Sequence, residues 1–263
     1  MDPVAFQMGP FPIRWYGILI SSAIAAAAVA AYRETEYQGL DPEHILNIAV
    51  LTVPAAIIGA RLYYVLFSGK LQDYLQNPVE ILATWHGGLA IHGGLIAGIL
   101  AGYFYVRKYK LKFWRMADII APGIVLGQAI GRWGNFFNQE AHGGPVSSEF
   151  ISRFPGFIQK GMFIKGQYYH PTFLYESLWD LGVFLFLILI RRREWIARGD
   201  IFLAYGVLYS TGRFFIEGLR TDSLMLGPFR VAQVISLGIM VTASLLLAWN
   251  HRLISLPSFD KKR

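Results

Sequence analysis

Residues 229–250 read FRVAQVISLGIMVTASLLLAWN, an apolar run in which Arg230 is the single charged residue. About 20 such residues in a helix cross a hydrocarbon core of roughly 30 Å, so this run predicts a membrane-spanning helix. Working back toward the N-terminus, six more segments qualify: 14–32, 45–67, 86–106, 117–137, 173–190 and 201–218. The sequence therefore predicts an all-α integral membrane protein with seven transmembrane helices, and residues 1–263 form one membrane domain.

The composition of the whole chain agrees with this class. It is 54% hydrophobic and only 16% charged, whereas soluble domains carry roughly 25% charged residues. There are no cysteines, which excludes disulfides, thiolate metal sites and a covalent cysteine intermediate on the protein. The net charge of +7 is concentrated in alternate loops, which disfavours nucleic-acid binding as its explanation.

The loop charges predict the orientation of the helices. Alternate loops fall into two sets, one with 14 Lys and Arg residues and one with 5. Since basic loops stay in the cytoplasm, we expect the N-terminus outside and the C-terminus cytoplasmic. The basic set is 33–44, 107–116, 191–200 and 251–263, and it includes Lys261, Lys262 and Arg263.

Two segments need separate interpretation. Residues 1–13 lack Lys and Arg, so we interpret 14–32 as an uncleaved helix and not as a signal peptide. Residues 138–172 form the longest piece between predicted helices and are rich in glycine, proline and aromatic residues. We expect a small folded extracytoplasmic cap there, between helices four and five.

Polar side chains recur at one depth in the predicted helices. At a rise of 1.5 Å per residue, they lie about 5 to 9 Å below the outer helix ends. Ionisable groups in hydrocarbon are costly and therefore mark candidate functional sites. The set comprises Tyr16, Arg61, His92, Arg132, Glu176 and Arg213.

Structural interpretations of single members of this set stay open. Arg61 could simply pair with a carboxylate such as Glu176 or Glu217. Tyr16 could be an interfacial aromatic anchor, and His92 could be hydrogen-bonded to a neighbour. The shared depth of side chains from several helices favours a common site.

Two helices present polar faces at helical spacing. Tyr209, Arg213 and Glu217 follow i, i+4, i+8 on the sixth predicted helix. The two arginines predicted to be buried, Arg132 and Arg213, suit a phosphate, because the fork of guanidinium N–H donors matches the phosphate oxygens. A phosphate at this depth belongs to a phospholipid headgroup in the outer leaflet. The histidines lack the spacing of metal ligands, so we expect no metal site. The fourth predicted helix carries the second face, formed by Gln128, Arg132, Asn135 and Gln139.

Residues 131–143 read GRWGNFFNQEAHG. This run resembles the signature G-R-x-G-N-F-x-N-x-E-x-x-G of the bacterial prolipoprotein diacylglyceryl transferases at every fixed position. The resemblance extends along most of the chain but is least distinctive over 144–169. It includes Trp15-Tyr16-Gly17, Ile91-His92-Gly93-Gly94, His170-Pro171, Tyr175-Glu176, Gly212-Arg213-Phe214 and Glu217.

The resemblance implies an enzyme of the bacterial plasma (inner) membrane with its site on the extracytoplasmic side. Such an enzyme transfers the diacylglyceryl group of phosphatidylglycerol to the lipobox cysteine of a prolipoprotein signal peptide. It forms a thioether, releases glycerol phosphate and needs no cofactor. The rival hypotheses are a secondary transporter, for which internal repeats are expected, and a non-catalytic lipid-binding scaffold.

The resemblance and the chemistry together assign roles to single residues. His92 is the candidate general base, although a water chain stays open as the alternative, and Arg132 and Arg213 are expected to stabilise the leaving phosphate. The candidate substrate-binding residues are Arg132, Asn135, Glu140, Tyr16, Tyr209, Gly143, Glu217 and Arg61.

Overall fold

The structure is a computed structural model that describes residues 1–84 and 87–253. The predicted start of the third helix at residue 86 and the basic residues Lys261, Lys262 and Arg263 lie outside the described residues. The protein is mostly helical, as predicted.

Seven helices of 18 or more residues occur in the described chain: α1 Trp15–Tyr37, α2 Glu43–Phe67, α5 Ile91–Lys108, α6 Phe113–Asn138, α9 Thr172–Ile190, α10 Asp200–Glu217 and α11 Val231–Asn250. Four short helices lie between them: α3 Leu71–Gln76, α4 Val79–Leu82, α7 Ser148–Ile151 and α8 Gly156–Gly161. The strands are β1 Val4–Met8, β2 Phe11–Arg14, β3 Pro145–Val146, β4 Phe163–Ile164, β5 Gln167–Tyr169, β6 Met225–Leu226 and β7 Phe229–Arg230.

The long helices correspond to the predicted segments, with shifted ends. α1 continues to Tyr37, beyond the predicted end at residue 32. α5 begins at Ile91, five residues after the predicted start, because Gly87 and Gly88 have φ angles of +87° and +75°. A left-handed backbone of this kind interrupts a right-handed helix. The antiparallel β1–β2 hairpin before α1 was not predicted.

The long helices are apolar, yet they bury little of their surface inside the protein. Four of them (α1, α2, α9 and α11) are long and apolar enough to cross a membrane, and their apolar windows are only 11% to 33% buried. Exposed apolar surface on this scale requires a lipid environment. The protein is therefore a membrane protein.

The chain divides into two compact units. The first consists of Met1–Ala31 and the chain from Ala117 onward, and the second is Tyr32–Met116. In the second unit α2 packs on α5 through glycines, since a Cβ atom on Gly59 would lie 2.6 Å from the carbonyl oxygen of Gly93. Small residues at such positions let two helix backbones approach closely.

In the first unit α10 packs between α9 and α11. A core of Val125, Val183, Leu187 and Ile201 joins α6, α9 and the start of α10. Gly212 of α10 lies against the indole of Trp179 on α9, where any larger side chain would overlap the ring. These contacts set the spacing of the helices that carry the polar side chains.

The segment 138–172 is a small folded structure. Its three-stranded sheet has the order β3–β5–β4. Its core contains Ile151, Ile158 and Met162, which pack against Phe136 of α6 and Phe173 of α9. The segment that is rich in aromatic residues and glycine in the sequence therefore has its own small core, and this core packs on α6 and α9.

Candidate functional site

The signature run ends α6 and turns into an unusual loop. α6 ends at Asn138, and Gln139 and Ala141 then adopt positive φ angles of 52° and 57°. Non-glycine residues seldom adopt this conformation. It turns the chain so that Gly143 pairs with Arg220 through an isolated antiparallel bridge.

Gly143 is a glycine because the loop passes close to its neighbours. A Cβ atom there would lie 2.6 Å from the Cβ of His170 and 3.1 Å from the carbonyl oxygen of Leu219. The Gly143 amide donates to the His170 carbonyl at 3.0 Å, and Thr172 Oγ1 donates to the Ala141 carbonyl at 2.6 Å. The loop thus ties the end of α6 to the start of α9 and the end of α10.

Side-chain hydrogen bonds also hold these three helices together deeper in the unit. Ser177 Oγ on α9 accepts from Trp133 Nε1 at 3.1 Å and donates to the Ala129 carbonyl of α6 at 2.8 Å. Tyr205 of α10 donates to Gln128 Oε1 of α6 at 3.2 Å. Polar pairs of this kind fix the rotation of neighbouring helices in a membrane.

The two candidate phosphate-binding arginines meet on one carboxylate. Arg132 Nε lies 2.5 Å from Glu176 Oε2, and Arg213 Nη1 lies 2.5 Å from Glu176 Oε1. Arg213 also pairs with Glu217 at 2.6 Å, and Arg132 donates to the hydroxyl of Tyr209 at 3.4 Å. Side chains of α6, α9 and α10 thus form one buried network.

A second carboxyl on α9 faces the same place. Asp180 lies one helical turn after Glu176 and is only 2% exposed. Its Oδ2 has no hydrogen-bond partner among the described residues. These side chains line one tightly filled cavity, together with their neighbours: Arg132, Glu176, Trp179, Asp180, Tyr209, Gly212, Arg213 and Ile216.

A further ion pair lies beyond the end of α10. Arg220 binds Asp222 through two hydrogen bonds of 3.0 Å and reaches Glu217 at 3.9 Å. Burial raises the pKa of Asp222, but the hydrogen bonds and the charge of Arg220 outweigh burial, so the pKa lies below its ordinary value. Asp222 is therefore ionised at neutral pH and holds Arg220 in place.

The remaining signature side chains lie near the loop. Asn135 and Asn138 each donate to Glu140 Oε1, at 3.0 and 3.2 Å. The ring of Tyr16 packs on Gly134, where a Cβ atom would approach the ring to 2.6 Å. This close packing explains the glycine of the motif and brings α1 against α6.

Arg61 and His92 belong to the second compact unit. Arg61 donates to the carbonyls of Ile81, Gly87 and Gly88 at 3.0, 2.6 and 3.0 Å. It thus orders the chain before α5. Its described partners are thus backbone carbonyls of its own unit, while Glu176 and Glu217 are held by arginines of the first unit.

His92 lies in the first turn of α5, with its ring centroid 6.1 Å from that of Tyr63. It is exposed on the surface of its unit. Its assignment as the general base stays a prediction.

The structure brings together Arg132, Tyr209, Arg213 and Glu217, and it places Asn135, Glu140 and Gly143 at the adjoining loop. The sequence placed Glu176 in the shared polar layer and allowed Glu176 and Asp180 as partners of the arginines, but neither was assigned a catalytic or substrate-binding role. Their signal was present, because two carboxyls four residues apart in an otherwise apolar helix lie on one face. Among the described residues, no group of His, Asp and Glu is arranged to hold a metal ion.

Comparisons with known proteins identify the family of the chain. The family model for prolipoprotein diacylglyceryl transferase matches residues 3–249. A phosphatidylglycerol–prolipoprotein diacylglyceryl transferase of Clostridium botulinum (strain 657 / Type Ba4) is 54% identical over 243 residues, 92% of this chain and 96% of that relative. A relative of the same name from Clostridium kluyveri (strain NBRC 12016) is 54% identical over 245 residues, 93% of this chain and 95% of its own length. These findings confirm the resemblance, and the chain belongs to the prolipoprotein diacylglyceryl transferase family.

Proposed function

We propose that this protein transfers the diacylglyceryl group of phosphatidylglycerol to the lipobox cysteine thiol of prolipoproteins. The reaction forms a thioether and releases glycerol phosphate. It is the first step of lipoprotein lipidation. The names of the 54% identical relatives support the activity.

The observation that carries the proposal is the pair of arginines on one carboxylate. Arg132 comes from α6 and Arg213 from α10, and both contact Glu176. Each guanidinium has five N–H donors, so donors remain for phosphate oxygens. The buried position matters because charged hydrogen bonds are strongest where the dielectric constant is low.

The chemistry follows from this placement. The thiolate attacks the glycerol carbon that carries the phosphate, a C–S bond forms, and the C–O bond breaks with its electron pair going to oxygen. Negative charge then accumulates on the phosphate, where Arg132 and Arg213 stabilise it. Tyr16, Tyr209, Asn135 and Glu140 are proposed to position the headgroup, while Gly143 and Glu217 hold the site's framework.

A thiol has a pKa of about 8.5 and must lose its proton to attack. His92 is the proposed base, because an imidazole titrates near neutral pH. If His92 acts in this way, His92→Gln should lower the rate most strongly below about pH 8, where little free thiolate exists. A profile identical to that of the wild type from about pH 6 to about pH 9 would remove the assignment.

The proposed topology places the site outside. Seven spans are proposed from the apolar segments, and the loop charges predict an external N-terminus and an extracytoplasmic 138–172 segment. The protein then lies in the bacterial plasma membrane with the network of Glu176 in the outer leaflet. Phosphatidylglycerol enters laterally from the lipid, and the prolipoprotein thiol comes from the outer side.

The decisive experiment uses purified protein in detergent with phosphatidylglycerol and a lipobox peptide. We expect a thioether product and free glycerol phosphate without an ion gradient, nucleotide or added metal. A peptide with serine in place of the lipobox cysteine is the control and should stay unmodified. A transporter or a binding scaffold would leave both peptides unchanged.

A further inference from the structure

We propose that Asp180 is the general acid of the transfer reaction: it holds a proton and delivers it to the phosphate oxygen that leaves the glycerol carbon. The proposal rests on the proposed function. It assigns chemistry to a buried side chain that the arginine–phosphate contacts leave unused.

The first argument is position. Asp180 is 2% exposed and lies on the α9 face that carries Glu176. It lines the same cavity as both arginines. A phosphate bound by the guanidinium groups of Arg132 and Arg213 would therefore lie near the Asp180 carboxyl.

The second argument is the missing partner. Other enclosed carboxyls accept hydrogen bonds: the half-buried Asp118 accepts from the amides of Gly199 and Phe202 at 2.6 and 3.0 Å. Asp200 accepts from Asn250 at 2.7 Å. Asp180 Oδ2, by contrast, has no hydrogen-bond partner among the described residues. A polar atom buried in this way without a partner costs free energy and calls for a functional explanation.

The third argument is charge. The cavity's two arginines are matched by Glu176 and Glu217. An ionised Asp180 would add an unmatched negative charge to a site that must receive an anion, so the neutral acid is favoured. The charged and titratable groups that interact with Asp180 are Arg132 from α6, Glu176 on α9, and Tyr205, Tyr209 and Arg213 from α10.

The proton balance of the step is simple. As the C–O bond breaks, its electron pair goes to the phosphate oxygen, and the proton of Asp180 moves to that oxygen. The base takes the thiol proton as the C–S bond forms. After product release the base gives its proton to water, and Asp180 regains one from water. The net reaction is thiol plus phosphatidylglycerol to thioether plus glycerol phosphate.

The test compares Asp180→Asn and Asp180→Glu with the wild type in the purified transfer assay. Asn cannot donate the acid proton, so we expect kcat to fall about 10²-fold with little change in KM for phosphatidylglycerol. Asp180→Glu keeps the acid and should recover much of the rate. Glu149→Gln, at an exposed position of α7, is the control and should match the wild type.

The pH profile separates acid catalysis from a structural role. The ratio of wild-type to Asp180→Asn rates should be largest at low pH and should shrink as pH rises, because the wild type then loses its proton. A folding defect would instead lower the rate equally at every pH. A constant ratio, or equal rates, would overturn the proposal.

A substrate analogue gives an independent readout. Replacing the leaving phosphate by sulfate makes a leaving group that needs no proton, so Asp180→Asn should then react as fast as the wild type. An unchanged deficit with this analogue contradicts acid catalysis. A wild type that is inactive on phosphatidylglycerol would instead refute the proposed function itself, so the two failures are distinguishable.

Discussion

At the scale of single residues, the site depends on where carboxylates sit relative to arginines. Glu176 gives one oxygen to Arg132 and the other to Arg213. A buried charge pair of this kind contributes little to stability as a whole, yet removing one partner is costly because the other charge is left unpaired. Substitutions at the network must therefore be judged by activity and by folding together.

Arg132→Ala should abolish transfer, and Arg132→Lys should lower kcat by about 10²–10³-fold. Lysine keeps the positive charge but cannot contact Glu176 and Tyr209 while presenting a fork to phosphate. The measurement is product formation with phosphatidylglycerol and lipobox peptide. Arg153→Ala, at an exposed position of the 138–172 segment, is the control. Near-normal activity of Arg132→Ala would overturn the assignment.

His170 should make stability depend on pH. Burial lowers the pKa of its imidazole in the folded protein. The unfolded chain then binds a proton first as pH falls, so stability is lost as pH drops below the unfolded value of about 6.5. We expect the Tm of the wild type to fall over this range and the Tm of His170→Gln to fall less.

Tyr175→Phe is the matched control for His170, since it removes a hydroxyl 3.2 Å from His170 Nδ1 and keeps the imidazole. It should retain the loss of stability on the acid side. Identical pH profiles for the wild type and His170→Gln would contradict the prediction.

At the scale of elements, close helix contacts bring the charged side chains within reach of one another. Arg132 and Arg213 lie on α6 and α10, and the carboxylate that joins them comes from α9. Their meeting therefore depends on the spacing of three helices. Glycines and hydrogen-bonded pairs such as Trp133 with Ser177 maintain that spacing.

Gly212→Ala should reduce both stability and activity. The added methyl group would overlap the indole of Trp179, whose Nε1 donates to the Leu208 carbonyl at 2.9 Å. Overpacking of this kind typically costs about 1–3 kcal/mol, and it would push α10 away from α9. Thermal unfolding in detergent and the transfer assay measure the two effects.

Gly182→Ala is the control for this substitution, because a methyl group there meets no atom within 4 Å. It lies in α9 itself, where alanine favours the helix by roughly 0.5–1 kcal/mol. It should be neutral or slightly stabilising. Equal effects of the two alanines would show that the Trp179 contact does not position the helices.

At the scale of the whole molecule, the proposed topology is open to a direct test. The chain has no cysteine, so single introduced cysteines are clean reporters. Ser148→Cys in the 138–172 segment should react with a membrane-impermeant maleimide in intact cells. Lys110→Cys should react only after the membrane is permeabilised. The reverse pattern would invert the orientation and place the site in the cytoplasmic leaflet.

Much of the fold and part of the site could be predicted from the sequence. Apolar runs of spanning length determine membrane helices, because an unpaired backbone cannot cross lipid. The spacing of Tyr209, Arg213 and Glu217 determines a shared helix face, and the signature around Arg132 determines the family. These features are local along the chain.

Contacts between distant segments were decided only by the tertiary structure. The spacing along the sequence does not tell which carboxylate lies between Arg132 and Arg213. The packing of the helices places Glu176 there. Packing also places Arg61 against backbone carbonyls and leaves Asp180 Oδ2 without a hydrogen-bond partner in the described part of the chain. The physical reason is that the position of a side chain relative to its partners depends on how separate helices approach and rotate, and those quantities arise from the packing of the whole unit.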